Sequence, residues 1–135
     1  MTKPINILVT DDEKEIADLL EIYLVSDGYH VFKAYNGQDA LKIMDEQDIS
    51  LAILDIMMPG MDGIELCREI RKTSHIPIIF LSAKSTDLDK ILGLGCGADD
   101  YVTKPFNPLE LTARVKSQLR RYTEFNSGVK EPEEN

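Results

Sequence analysis

Two hydrophobic periods take turns along this chain. Apolar runs at 5–10 (INILVT), 51–55 (LAILD) and 77–82 (PIIFLS), with shorter ones at 30–35 (HVFKAY) and 99–103 (DDYVT), read as strands. Between them apolar residues recur at spacings of three and four, which predicts amphipathic helices. The first covers 13–27 with Ile16, Leu19, Leu20, Tyr23 and Leu24 inward, and Gly28 ends it. The second opens at Asn36-Gly37 and runs to 47 on Ala40, Leu41 and Met44; the third covers 63–72 on Ile64, Cys67 and Ile70. A weaker helix over 86–95 holds Ile91 and Leu94 but is loosened by Gly93, Gly95 and Gly97. The last, 108–122, turns Leu111, Val115 and Leu119 to the core.

Strands this short and apolar, each followed by a helix, imply a parallel sheet covered on both faces by right-handed crossovers. In such a sheet the ligand crevice lies outside the carboxyl ends of the strands, where the winding reverses. After Tyr122 the composition changes. Residues 123–135 (TEFNSGVKEPEEN) carry Gly, Pro and several Glu with little to bury, and read as a flexible linker after a domain of residues 1–122.

The chain has 135 residues, 43% of them hydrophobic, enough for one domain with a real core. Its net charge of -9 excludes a phosphate-backbone grip by this segment, which needs clustered Lys and Arg. If the whole protein touches DNA, another domain does so. Cys67 and Cys96 show neither metal-type nor disulfide-type spacing, and no apolar leader precedes Asp11-Asp12-Glu13. That pattern fits a soluble cytoplasmic protein with two inert thiols.

The run Leu51 to Asp55 stops on a carboxylate, and a loop of Met, Pro and Gly follows at once (IMMPGMDG). Asp11 and Asp12 stand just past the first strand. Any one of these, taken alone, is more often a turn-making or helix-capping Asp. If the first and third strands are neighbours, though, the three meet at one edge. Like charges that close raise each other's pKa unless a cation sits between them. An all-oxygen set points to a hard ion such as Mg²⁺. Lys104, after the fifth strand, and Ser82, at the end of the fourth, reach the same rim.

The segments DDE (11–13), LDIMMPGMDG (54–63), LSA (81–83), GADDY (97–101) and TKPF (103–106) together resemble the receiver domain of two-component response regulators. The resemblance spans residues 5 to 122. GADDYVTKPF and PLELTARVKSQLRR are similar to the branch whose regulators end in a winged-helix DNA-binding domain. Within that branch, EIADLLEIYL, LAILDIM and PLELTARVKSQLRRY resemble the vancomycin-resistance type.

What the resemblance implies is a flavodoxin-like, doubly wound α/β fold of five strand–helix units, with parallel strand order 2-1-3-4-5. Asp55 would accept a phosphoryl group from a sensor histidine kinase. Asp11, Asp12, Asp55 and the Met57 carbonyl would hold Mg²⁺. Ser82 and Lys104 would bind phosphoryl oxygens, Tyr101 would change rotamer with Ser82, and Lys104–Pro105 would be cis. The chain would be no enzyme beyond its own phosphorylation and dephosphorylation, and it would control transcription through an output domain outside this sequence. Thr10 and Gly95-Cys96 depart from the usual pattern.

The same branch implies a two-fold dimer once phosphorylated. Ile91 and Leu94 would form its apolar centre, with Lys90 to Glu110, Asp100 to Arg114 and Asp99 to Arg121 pairing across it. The rival class is a Mg²⁺-dependent phosphatase with an Asp nucleophile on a similar sheet. Its Asp-x-Asp motif after the first strand is missing, since that site reads Asp11-Asp12-Glu13. A flavin or nucleotide binder would want a Gly-rich loop there, and none follows. A purely structural dimerisation unit leaves the acidic cluster unexplained.

Overall fold

Strands β1 (Asn6–Thr10), β2 (His30–Ala34), β3 (Leu51–Asp55), β4 (Ile78–Ser82) and β5 (Asp100–Thr103) form one parallel sheet in the order β2-β1-β3-β4-β5. Helices α1 (Lys14–Ser26), α2 (Gly37–Glu46), α3 (Gly63–Arg71) and α4 (Pro108–Lys130) cover its faces. The computed structural model describes residues 4–83 and 95–130, with side chains through Thr123. The helix expected over 86–95 falls largely outside the described residues, as do Lys90, Ile91 and Leu94.

The strands read as unbroken apolar runs because both sheet faces are buried. Ile7, Val9, Leu51, Ile53, Ile79 and Leu81 meet Ala17, Leu20 and Leu24 of α1 and Leu111 and Val115 of α4. Their neighbours in sequence, Leu8, Ala52, Leu54, Ile78 and Phe80, meet Ala40 of α2 and Leu66, Cys67 and Ile70 of α3. Successive strand side chains point to opposite faces, so one residue of slip would exchange the two cores. The winding reverses between β1 and β3, and the crevice therefore opens at their carboxyl ends.

Local chemistry fixes the helix starts. Asn36 caps α2 by accepting from the Asp39 amide at 2.8 Å, and Asp62 caps α3 by accepting from the Glu65 amide at 2.9 Å. Each such cap is worth about 1 kcal/mol. Gly28, at φ +94°, turns the chain out of α1 into β2.

Two expectations need correction. Leu19 is 39% exposed, and Ala17 takes its place on the inner stripe with Leu20 and Leu24. Residues 17, 20 and 24 are spaced three and four apart, whereas 19 lies about 100° around the helix from 20. The last helix does not stop at 122 but continues to Lys130. Once a helix is anchored, each added residue gains a hydrogen bond for little further cost, so the helix runs on into residues whose composition suits a linker. No helix among the described residues is long and apolar enough to cross a membrane.

Candidate functional site

β1 and β3 pair in parallel with Thr10 opposite Leu54, so the next residues of the two strands, Asp11 and Asp55, emerge side by side. The Asp11 amide extends the β1–β2 ladder by donating to the Ala34 carbonyl at 3.1 Å. Both side chains are buried, Asp11 fully and Asp55 to 3% exposure, while Asp12 is exposed. Carboxylate oxygens of the three lie within 4.8 Å of one another. Capping does not account for them. α1 is capped at Glu13 without a side-chain bond and α3 at Asp62; only Asp11 makes a local turn contact, accepting from the Glu13 amide at 2.9 Å.

The cation comes from β5. Ser82 pairs with Thr103 across β4 and β5, and the Lys104 amide donates to the Ser82 carbonyl at 2.7 Å. The Lys104–Pro105 peptide is cis. Lys104 Nζ stands 3.1 Å from Asp11 Oδ2, 3.3 Å from Asp55 Oδ1 and 3.6 Å from Glu13 Oε1. Glu13 is the contact that sequence reasoning missed. It lay inside the DDE segment, but an exposed residue at a helix start carried no separate signal.

Three aspartates against one lysine leave the site rich in negative charge. Burial first, and the Asp11 charge next, push the Asp55 carboxyl up to about 7, against the pull of Lys104. Burial works to lower the Lys104 ammonium, but its bonds to Asp11 and Asp55 outweigh that and raise it. The residues suit a hard divalent cation: the donor set is all oxygen, and its carboxylate atoms lie within 4.8 Å of one another around a single ammonium. A second cation would relieve the excess negative charge that one lysine leaves.

The loop from Asp55 to α3 is held tightly. The Gly63 amide donates to the Ile56 carbonyl at 3.0 Å, and a Cβ on Gly63 would fall on the Asp55 carbonyl oxygen and 2.8 Å from Ile56 Cα. Only glycine lets α3 start this close to the strand that carries Asp55. Met57, two residues past Asp55, is 61% exposed. Ser82 is buried at the end of β4, and Tyr101 on β5 is 38% exposed.

Four of the charged residues expected at a dimer surface, Asp99, Asp100, Glu110 and Arg114, are engaged within the single chain. Asp100 Oδ1 meets Arg114 Nη1 at 2.8 Å, and Glu110 meets Arg114 at 3.1 Å. Asp99, expected to meet Arg121 of a second chain, pairs within its own chain with Arg71 at 2.9 Å and also accepts from the Ile78 amide. Arg121 is exposed. Arg71 was not singled out from the sequence, since one Arg in an exposed helix end looks like any other.

This chain belongs to the response regulator receiver domain family, whose model matches residues 7–116. Among curated proteins it is 59% identical over 129 residues to Regulatory protein VanR of Enterococcus faecium, covering 96% of this chain and 55% of that protein. It is 53% identical over 126 residues to Regulatory protein VanRc of Enterococcus gallinarum, covering 93% and 54%. The chain thus spans about half the length of the curated relatives it matches. Its similarity to VanR-type regulators agrees with the motifs read from the sequence. Among solved structures, the response regulator TrrA of Thermotoga maritima in complex with Mg²⁺–BeF matches with TM-score 0.77 and 42% identity, over 84% of this chain and 98% of that one.

Proposed function

We propose that this chain is the phosphorylation switch of a two-component regulator, with Asp55 as phosphoacceptor. The observation that carries the reading is the surroundings of Asp55: a buried carboxyl at a strand end, beside Asp11 and Asp12, with Lys104 Nζ at 3.3 Å. Asp11, Asp12, Asp55 and the Met57 carbonyl would hold Mg²⁺, which supplies charge neutralisation for an incoming phosphoryl group and favours the ionised form of Asp55. The similar Thermotoga protein, solved with Mg²⁺–BeF, supports that choice of ion.

Phosphoryl transfer asks for positioning and charge stabilisation more than for covalent help. The Asp55 oxygen attacks phosphorus in line as the bond from phosphorus to the donor nitrogen of a kinase phosphohistidine breaks. β3 holds the nucleophile rigidly, because Asp55 pairs with Leu81 of β4. Lys104, now shared between Asp55 and Asp11, turns to a phosphoryl oxygen, and the Ser82 hydroxyl donates to another. Because the new bond consumes the Asp55 carboxylate charge, a doubly charged phosphoryl group leaves the site about one charge more negative than before, beside the same ammonium. Ser82 and Tyr101 then rearrange, and the face built around β5 and α4 forms a two-fold dimer in the cytoplasm. Output follows through a DNA-binding domain such as the longer relatives have room for.

Intact mass after incubation with Mg²⁺ and acetyl phosphate tests this. One phosphoryl group should appear on the wild-type chain, none on Asp55→Asn, and none when the ion is chelated. Full labelling of Asp55→Asn, or steady turnover of added phosphomonoesters, would overturn the assignment.

A further inference from the structure

The chain contains two cysteines, far apart in sequence, and the fold brings them together. Cys67 lies in the middle of α3, fully buried; Cys96 is 6% exposed in the loop that leads to β5, and both belong to one apolar cluster. The Cys67 thiol donates to the Cys96 carbonyl oxygen at 3.1 Å. Arg71, one turn along α3, fastens the same loop: Nε and Nη2 donate to the Gly97 carbonyl at 3.0 and 2.7 Å, and Nη2 reaches Asp99. The loop is therefore held so that Cys96 stays against Cys67 in the folded chain.

We propose that Cys67 and Cys96 are an oxidisable dithiol, and that a peroxide converts them to a disulfide that staples α3 to the loop before β5. Cys96 reacts first. It sits between Gly95 and Gly97, both exposed and both at positive φ (+58° and +93°), so a small local opening about these glycines uncovers it. Cys67, inside a helix, has no such route. Burial first, and the neighbouring Cys96 next, push its thiol up to about 12, so Cys67 is a slow nucleophile towards peroxide.

The Cys96 sulfur attacks one peroxide oxygen, the O–O bond breaks, and Cys96 sulfenic acid and one water are formed. The Cys67 sulfur then attacks the sulfenic sulfur; the S–S bond forms, the S–O bond breaks, and hydroxide leaves with the Cys67 proton as a second water. Two thiols and one hydrogen peroxide thus give one disulfide and two waters. The low thiolate fraction of Cys67 makes the second step slow, so the pair responds to sustained rather than brief oxidant. The consequence rests on the proposed switch function: a stapled loop restrains the start of β5, and with it Asp100 and Tyr101, so the oxidised chain should dimerise less when phosphorylated. The cross-link itself does not depend on that reading.

The test exposes the whole folded chain to hydrogen peroxide until Met57, 61% exposed, is measurably oxidised. After quenching, unfolding and alkylation, peptides are mapped without reduction. An intramolecular Cys67–Cys96 peptide, lost on treatment with dithiothreitol and absent from Cys96→Ala, is the expected result. Recovery of both thiols as alkylated cysteines at that dose would overturn the proposal. So would cross-links between chains only, or sulfinic acid on either residue without a cross-link. The wild-type map decides the matter even if a variant folds poorly. If cross-linking occurs and phosphorylation at Asp55 does not, the switch reading fails and the dithiol stands.

Discussion

Asp55→Asn should stabilise the metal-free protein, by an amount that depends on pH. The folded-state carboxyl is raised to about 7, against about 3.9 for an unfolded Asp. Between those values the folded chain keeps a proton that the unfolded chain has released, so wild-type stability falls as pH rises from about 4 to about 7. About three units correspond to about 4 kcal/mol, an upper bound on what the buried charge costs at pH 8. Asn removes that cost but also takes a carboxylate from Lys104, which keeps Asp11 and Glu13. The raised value already contains the pull of Lys104, and relaxation and solvent screening reduce the upper bound by about half, leaving a gain of about 2 kcal/mol. For a domain of this size that is roughly 6–12 °C in Tm at pH 8, shrinking to a few degrees at pH 5. Thermal melts of both proteins in chelator from pH 5 to 8 measure the gap. Mg²⁺ at pH 8 should narrow it by stabilising the wild type more. A gap that stays constant across this range, or an Asn variant less stable at pH 8, would refute the electrostatic account of the site.

Gly63→Ala should cost more than about 3 kcal/mol in urea unfolding, because its Cβ meets the backbone of Asp55 and Ile56 rather than a yielding side chain. A loss under 1 kcal/mol would mean that α3 can shift away from the site. Arg71→Ala takes a donor from the Gly97 and Ile76 carbonyls and leaves the Asp99 carboxylate with the Ile78 amide, at about 2–4 kcal/mol. Hydrogen exchange should locate the loosening at residues 95–103, and uniform change across the chain would contradict the clasp. Lys104→Ala removes the ammonium that lowers Asp55, so acetyl phosphate labelling should slow most at pH 7 and recover towards pH 9. An equal deficit at both values would mean that Lys104 acts only after the phosphoryl group has arrived.

Strand positions were legible because burial on both faces leaves no polar residue to blur a run such as LAILD. Helix ends were less so. Gly28 and Asn36 are chemical stops and starts, and they sit where expected; Gly128 is a residue of the same kind as Gly28, yet the last helix passes through it. Of the site, Asp11, Asp12, Asp55 and Lys104 could be placed together because each follows a strand end on one edge of the sheet. The Glu13 contact, the Arg71 clasp and the meeting of Cys67 with Cys96 could not. Each joins side chains whose relation depends on how helix and loop lie in space, which no period records. Asp99 is the instructive case: within the chain it pairs with Arg71, a contact between the end of α3 and the start of β5 that no charge pattern along the sequence records.

The charged face of α4 bears on how a dimer could form. Arg114, 39% exposed at its side chain, already holds Asp100 and Glu110 of its own chain. Exposed pairs of this kind are worth about 0–1 kcal/mol each. In the proposed two-fold dimer Arg114 would trade its own Asp100 for the partner's, so like replaces like and the exchange adds close to nothing. The charges can then fix orientation and exclude wrong partners, while affinity must come from apolar contact, which the reading assigns to Ile91 and Leu94. Raising salt from about 0.05 to about 0.5 M should therefore weaken the phosphorylated dimer less than about tenfold, or 1.4 kcal/mol. Arg114→Glu should do far more harm, because it sets a third carboxylate beside Asp100 and Glu110 in each chain and again across the interface. Sedimentation of the phosphorylated protein at both salt concentrations separates the cases. A dimer abolished by salt alone would show that charge supplies the affinity; one indifferent to Arg114→Glu would show that this face is not the interface.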